Sequence, residues 1–354
     1  MIVIKARNVQ EILPEALRRL DHDGIERDSR NGRVKMFSEP VTSVYERPTE
    51  RVIYWAERDA NPFFHLYESL WMLAGKETVE PLAFYVARMR TFSDDGTTFH
   101  GAYGYRWRYH FEFDQVATII EALKKDKNDR RQVLSMWDAE VDLGKQGKDF
   151  PCNLQAVFQI TYEGKLDMMV TNRSNDIIWG AYGANAVHFS YLLEYVAAGV
   201  GVPVGRYRQV SANFHAYLAT LEPIKHLAEE SRDVYVPAET HWKTRDPYSS
   251  GEVTPFPLVK DFDRFNAELA MFMEEPDAVG YLEPFFRHVA RPMANAYAAF
   301  KDKKNPERFQ NTYVRLAEVR ASDWAKAATE WVRRRERAEI RRIRAEDDGV
   351  FYDE

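Results

Sequence analysis

The alternation of apolar and polar positions divides the chain into recognisable pieces. Residues 9–20 carry an amphipathic helical pattern, and Arg27-Asp28-Ser29-Arg30-Asn31-Gly32-Arg33 then reads as a polar, glycine-containing loop. Asn61-Pro62 opens a second helix through Phe63, Leu66, Leu70 and Leu73, which stops near Gly75: a cap and proline at the start, a glycine at the end. Glu68 lies inside that otherwise apolar helix. Thr91 to Arg108 is rich in Gly, Asp and aromatic residues and is expected to be a loop, too aromatic for a mere linker. Residues 115–125 predict a helix, and Asp129-Arg130-Arg131 leads into the apolar run Val133 to Trp137. Leu154–Tyr162 and Leu166–Thr171 predict two strands with Glu163-Gly164-Lys165 as their hairpin turn, so Arg173 falls at a strand end. Asn185 to Ala198 predicts an apolar helix closing at Gly199, and Arg206 to Phe214 a strand that delivers His215 and Tyr217. From Pro306 the chain turns helical and highly charged, through Arg333-Arg334-Arg335 to Asp348. A solvated helical appendage is the plain expectation there, and a partner-contact surface the sharper one.

Composition narrows what such a chain can be. With 354 residues, 45% hydrophobic and 14% aromatic, it can bury a large core without disulfide or metal, and no metal is expected. A net charge of −6 opposes broad nucleic-acid binding, because a surface that tracks a phosphate backbone needs a basic excess. Met1-Ile2-Val3-Ile4 is too short for the apolar region of a signal peptide, and no run of about 18 apolar residues offers a membrane span. A soluble, cytoplasmic protein is expected, which suits an unpaired cysteine.

That cysteine is Cys152, the chain's single one, in Phe150-Pro151-Cys152-Asn153. Its candidate uses are packing, metal ligation or chemistry. Arg173-Ser174-Asn175-Asp176 follows 21 residues later across the hairpin, and an arginine beside a thiol favours the thiolate.

Taken in order, Glu68, Tyr103-Gly104, Arg130-Arg131, Pro151-Cys152, Arg173-Ser174-Asn175-Asp176, Gly180, Asn185 and His215-Ala216-Tyr217 resemble the thymidylate synthase and deoxypyrimidine hydroxymethylase family over roughly residues 25 to 225. The resemblance implies an α/β (α+β) fold, a mixed β-sheet core flanked by helices, in a catalytic domain of residues 1–300. Residues 301–354 would form the charged helical extension. It also implies a homodimer whose sheets pack face to face, with the arginines at Arg130 and Arg131 reaching into the partner's phosphate site.

The implied chemistry explains the residue types. C5 of a pyrimidine becomes nucleophilic only when a thiolate adds to C6, after which it can attack the methylene carried by 5,10-methylenetetrahydrofolate. Cys152 is the expected nucleophile, with Tyr103 and Asn153 among the catalytic positions. Arg173, Ser174 and Arg30 would hold the nucleotide phosphate, although Arg27 or Arg33 could serve in place of Arg30. His215 and Tyr217, alternate residues of a strand, would hold the deoxyribose 3′-hydroxyl. Glu68 would organise the proton-carrying water, Asp176 the pterin, and Gly180 would let that ring approach the backbone. Asn185 would read the base, favouring uracil modestly over cytosine, since a carboxamide offers one donor and one acceptor. Because the Gly180 to Asn185 interval is one residue longer than the usual pattern, Ala184 could occupy that position instead.

Two departures bear on the product. Asn153 stands where the familiar synthases have His, and the loop that carries their Trp over the reaction intermediate here offers Arg88 and, as nearest aromatic, Phe92. The chain ends in Asp347-Asp348-Gly349-Val350-Phe351-Tyr352-Asp353-Glu354 rather than the short apolar seal of the synthases. Hydride transfer needs a dry, tightly stacked complex, so water is the expected acceptor and 5-hydroxymethylation of dUMP or dCMP the expected outcome. A dTMP-forming thymidylate synthase is the alternative. A Cys-His hydrolase built on Cys152, His215 and Asp176 would leave Arg130, Arg131 and Arg173 without a task, and a silent binding protein would not need to retain the whole nucleotide constellation. Hydroxymethylating relatives occur in viruses that modify their DNA, which fits a phage-encoded enzyme acting in a host cytoplasm.

Overall fold

The computed structural model describes residues 1–230 and 246–347. Strand β1 (Ile2–Ala6) enters helix α1 (Val9–Asp23), which starts because the Asn8 side chain accepts from the amides of Gln10 and Glu11 at 2.9 and 3.1 Å. The polar loop expected at 27–33 is instead the bend of a hairpin, β2 (Ile25–Ser29) and β3 (Gly32–Met36). Arg30 and Asn31 are its two-residue turn, and Gly32 supplies the positive φ of 121°. Strand β4 (Val41–Tyr45) returns the chain to β1.

Helix α2 (Pro62–Leu73) begins as its pattern predicts, with Asn61 accepting from the amides of Phe63 and Phe64. Helix α3 (Val79–Tyr85) follows. The stretch expected to be loop contains helix α4 (Tyr103–Arg108), which packs hard on α2. A Cβ on Gly104 would fall 2.1 Å from the Met72 carbonyl oxygen, so the glycine permits a close helix crossing rather than a bend. Arg106, wholly buried, anchors this turn through two bonds to Asp142 at 2.6 and 2.8 Å and one to the Met136 carbonyl at 2.7 Å.

Helix α5 (Gln115–Lys125), strand β5 (Val133–Ser135) and the short α6 (Ala139–Asp142) lead into the hairpin of β6 (Asn153–Ile160) and β7 (Leu166–Asn172). The brief strand β8 (Asn175–Asp176), a wide π-helical turn at Ile177–Ala184 and helix α7 (Asn185–Val200) come next. α7 runs slightly past the expected stop, and its cap is Gly201, at φ 79°, not Gly199. The single strand expected at 206–214 is two: β9 (Val204–Ser211) and β10 (Phe214–Tyr217), which lie in different sheets. The larger sheet has the order β1-β4-β9-β7-β6-β5 with mixed directions, and the smaller is β2-β3-β10-β8. The mixed-sheet α/β architecture thus forms as expected.

After α8 (Leu218–Leu221), helices α9 (Phe262–Glu274), α10 (Arg291–Lys301), α11 (Arg308–Leu316) and α12 (Ser322–Asp347) complete the described chain. The charged tail is helical, but its first half is no solvated appendage: Trp324, Ala328, Trp331 and Val332 are buried. Trp331 packs edge-on against Phe63 of α2 and Phe300 of α10, ring centroids 5.8 and 5.1 Å away, while Arg335 covers its outer face at 4.2 Å and pairs with Asp59. Charge patterning concealed this because the arginines lie outward of the two tryptophans. Farther along α12, Arg341 and Arg344 are exposed, and the last residues, 348–354, lie outside the described ones.

Trp331→Ala should therefore lower the unfolding free energy by about 3–5 kcal/mol, read as a drop in the urea midpoint. Arg341→Ala should change it by less than about 0.5 kcal/mol.

Candidate active site

The open end of the β6–β7 hairpin brings Cys152 opposite Arg173. Asn153 and Asn172 are register partners, and just beyond them the Arg173 amide donates to the Cys152 carbonyl at 3.0 Å. The guanidinium then curls back: Nε donates to the Pro151 carbonyl at 2.9 Å, Nη2 lies 3.8 Å from the Cys152 sulfur, and the group stacks over Trp137 at 5.9 Å. On the other side the Tyr103 hydroxyl oxygen accepts from the amides of Cys152 and Asn153 at 2.9 and 3.2 Å. Burial keeps that phenol protonated, so its own hydrogen is left to donate.

Burial pushes the Cys152 thiol up from its ordinary range, and the field of Arg173, with a smaller contribution from Arg30, offsets this only in part, while Asp149 and Asp176 add to the rise. Of the three loop cations, Arg30 at the hairpin tip reaches this field and donates to the Gly147 carbonyl at 3.3 Å, whereas Arg33 is turned back to Glu26 and Asp28.

A file of side-chain amides runs from beside Cys152 to the start of α7. Asn172 donates to Asn153 Oδ1; Asn153 Nδ2 donates to Asn185 Oδ1 at 3.4 Å; Asn185 Nδ2 donates to Asn175 Oδ1 at 3.1 Å. Asn175 passes its own donor to Gln209 and Ser211 at 3.0 and 3.1 Å, and Gln209 donates to Tyr45 and to the Ala181 carbonyl. Each amide is thereby oriented by its neighbours. The extra residue between Gly180 and Asn185 is absorbed by the π turn, whose wider winding holds one more residue, with an abrupt backbone bend at Gly183. Asn185 rather than Ala184 joins the file, keeping one amide hydrogen and one lone pair free of it.

Asp176 closes the other flank. Its Oδ1 accepts from the amides of Ile178 and Trp179 at 2.7 and 2.6 Å, while Oδ2 is buried with no hydrogen-bond partner. Strand pairing sets it beside His215, and burial raises the carboxyl and lowers the imidazole, outweighing their mutual attraction. The His215 and Tyr217 rings meet at 5.3 Å, on the same side of β10 as alternation requires. Gly180 has a packing reason of its own, since a Cβ there would lie 2.6 Å from Asn175 Oδ1. Ser174 is half-buried between Arg173 and Asn175. Glu68 projects from α2 toward His188 of α7, 3.0 Å away.

The exposed pair Arg130 and Arg131 does not belong to this cluster. Arg131 is held by Asp129 at 2.8 Å, and neither arginine is among the charges bearing most on Cys152. Arg88 and Phe92 lie exposed and stacked on one another at 5.5 Å. Arg173 is the one side chain donating to the Cys152 sulfur among the described residues, so a Cys-His hydrolase has no geometry here.

The thymidylate synthase family model matches residues 11–250. The chain belongs to the thymidylate synthase family. It is 61% identical over the full length of both chains to a deoxyuridylate hydroxymethyltransferase of Pseudomonas phage M6. It is 39% identical to the enzyme of that name from Bacillus phage SP01, over 51% of this chain and 49% of the other. The thymidylate synthase of T4 phage shares the fold, with a TM-score of 0.50 at 20% identity over 65% of this chain and 87% of that one.

Several residues around this candidate site carry no local signal in the sequence. Arg58 is buried beside Asp176 with its Nε unpaired, its pKa brought down to about 10 by burial, and it lies over the exposed Trp179 ring at 5.4 Å. Asp149 accepts from the Gly101 amide at 3.0 Å and adds negative field near the thiol. His188 lies in an apolar helix where a histidine ordinarily packs. Only the arrival of other elements makes these three notable.

Alkylation of Cys152 by iodoacetamide should rise with pH through a midpoint above that of an ordinary cysteine, because desolvation disfavours the thiolate. Arg173→Ala removes the largest opposing charge, so its midpoint should be higher still; a midpoint that falls would contradict the assigned balance.

Proposed function

We propose that this chain transfers the one-carbon unit of 5,10-methylenetetrahydrofolate to C5 of dUMP and releases 5-hydroxymethyl-dUMP. The reading is carried by Cys152 under Arg173 and beside a carboxamide, Asn185, that the amide file orients. The full-length likeness to a phage deoxyuridylate hydroxymethyltransferase supports the same base and product.

The residues fit both ligands. Asp176 Oδ2 and Glu68 Oε2 are buried acceptors without hydrogen-bond partners, which suits a ligand edge lined with N–H donors such as a pterin. When bound, methylenetetrahydrofolate supplies the carbon at the oxidation level of formaldehyde. Arg173, Ser174 and Arg30 bind the phosphate dianion, and Arg130 and Arg131 of the partner subunit complete that cluster. Asn185 offers its free amide hydrogen to uracil O4 and its free lone pair to N3–H. His215 and Tyr217 hold the 3′-hydroxyl. The Cys152 sulfur adds to C6 and makes C5 nucleophilic; Tyr103 steadies the two amides that fix the thiol, and Asn153 ties it to the base reader.

The dimer is supported by the larger sheet. α7 covers one face, while on the other Val133 and Met169 are exposed and Val157, Thr171 and Val210 half-exposed, a largely apolar strip running from edge strand β5 across β6 and β7 to β9. A second copy of that face would bury it and carry Arg130 and Arg131 across. Residues 1–300 act as the catalytic domain in this reading, with 301–354 as its helical extension.

Incubation with methylenetetrahydrofolate and dUMP should yield 5-hydroxymethyl-dUMP by mass spectrometry, without dihydrofolate absorbance growing in step. Cys152→Ser should bind nucleotide yet lose nearly all turnover. A methyl product with stoichiometric dihydrofolate would mark the chain as a dTMP-forming synthase.

Asn185→Asp should shift preference from dUMP toward dCMP. The carboxylate loses the donor to Asn175 and faces uracil O4 with an acceptor, a mismatch of about 1–3 kcal/mol, read from the ratio of kcat/KM values.

A further inference from the structure

Water capture and hydride capture of an exocyclic methylene differ in one proton. The hydrogen on C5 leaves in both routes. Hydride addition then releases nothing more, whereas water brings a proton that must be taken up as its oxygen bonds to carbon. A hydroxymethyl-forming site therefore needs an acceptor that a methyl-forming site can lack.

The interface of α2 and α7 holds such an acceptor. Glu68 Oε2 and His188 Nε2 lie 3.0 Å apart, with side chains 13% and 5% exposed. Neither atom makes an aligned hydrogen bond, to the other or elsewhere, so the pair is close but skewed, each keeping directional capacity unused. His188 follows Asn185 by three residues in the same helix and so lies on the face that carries the base reader. The second imidazole nearby, His65 of α2, is perpendicular to His188 at 6.2 Å. Burial, then His188, then Arg58 depress it to about 3, so it stays neutral and serves as wall. The other charges around the cluster are Arg58, cationic, and Asp176, held beside His215.

We propose that His188 acts through Glu68 as the positioning residue that lets the carboxylate deprotonate the water captured by the exocyclic methylene. The inference rests on the hydroxymethylase reading above. In the step, the water oxygen bonds to the exocyclic carbon, the C5–methylene π pair moves into a C4 enolate, and the water proton passes to Glu68 and on to His188. The enolate then collapses, forms the C5–C6 double bond and expels the Cys152 thiolate.

The test uses the full-length enzyme in excess over dUMP tritiated at C5, with methylenetetrahydrofolate. Tritium release reports the steps up to loss of the C5 hydrogen, and 5-hydroxymethyl-dUMP reports capture. In the wild type the two should appear together. In His188→Gln, tritium release should stay within about twofold while hydroxymethyl product forms roughly tenfold or more slowly, and a small added thiol should divert the waiting methylene to a thioether. Formation of the covalent complex with 5-fluoro-dUMP, which needs no capture step, should be undiminished and verifies that the variant is folded; His188→Asn is the second variant. Tritium release and product slowing in parallel in both folded variants, or neither slowing, would overturn the role of His188. A methyl product from the wild type alone would overturn the reading beneath it.

Discussion

Each carboxamide in the file from Asn172 through Asn153, Asn185 and Asn175 to Gln209 has two chemically different ends, so orienting one group orients the next. The file crosses from β7 to β6, to the first turn of α7, to β8 and to β9, tying both sheets and the central helix to the strand that Cys152 leads into. Isolated amides can turn over at little cost; amides in series cannot, because one reversal leaves facing donors or facing acceptors in a buried place. The unused hydrogen and lone pair of Asn185 thus point as the backbone of five elements dictates.

The electrostatics of the site have a similar collective origin. Burial holds the Cys152 thiol above its ordinary range, raises Asp176 and lowers His215, while Arg173 is engaged with the Pro151 carbonyl. Desolvation and the field of Arg173 thus act in opposite directions on the Cys152 thiol, and desolvation is the larger.

What could be read from the chain was what depends on near neighbours. Asn61-Pro62 and the spacing of Phe63, Leu66, Leu70 and Leu73 located α2, and Glu163-Gly164-Lys165 located the hairpin that sets Arg173 against Cys152. The ordered motifs sufficed for the family and its donor. What escaped depends on distant partners. Gly104 looked like a loop residue because nothing local shows that Met72 lies against it. The split of residues 204–217 between two sheets is decided by β3 and β4, far back in the chain. The sign of the shift at Cys152 came from desolvation, which no motif encodes, and Arg58 and His188 gain meaning only from Asp176 and Glu68.

Trp331 of α12 rests on Phe63 of α2, one helical face removed from Glu68. The thymidylate synthase family model matches only as far as residue 250, yet the helix that carries a candidate catalytic carboxylate finishes its hydrophobic wall with a residue 81 positions later. The core shared across the family and the unit that packs cooperatively therefore have different borders in this molecule, although the likeness to the phage M6 enzyme runs through both. A truncation designed from the family match alone would cut through the support of its own site, and divergence in the tail can retune that site without altering any residue that touches substrate.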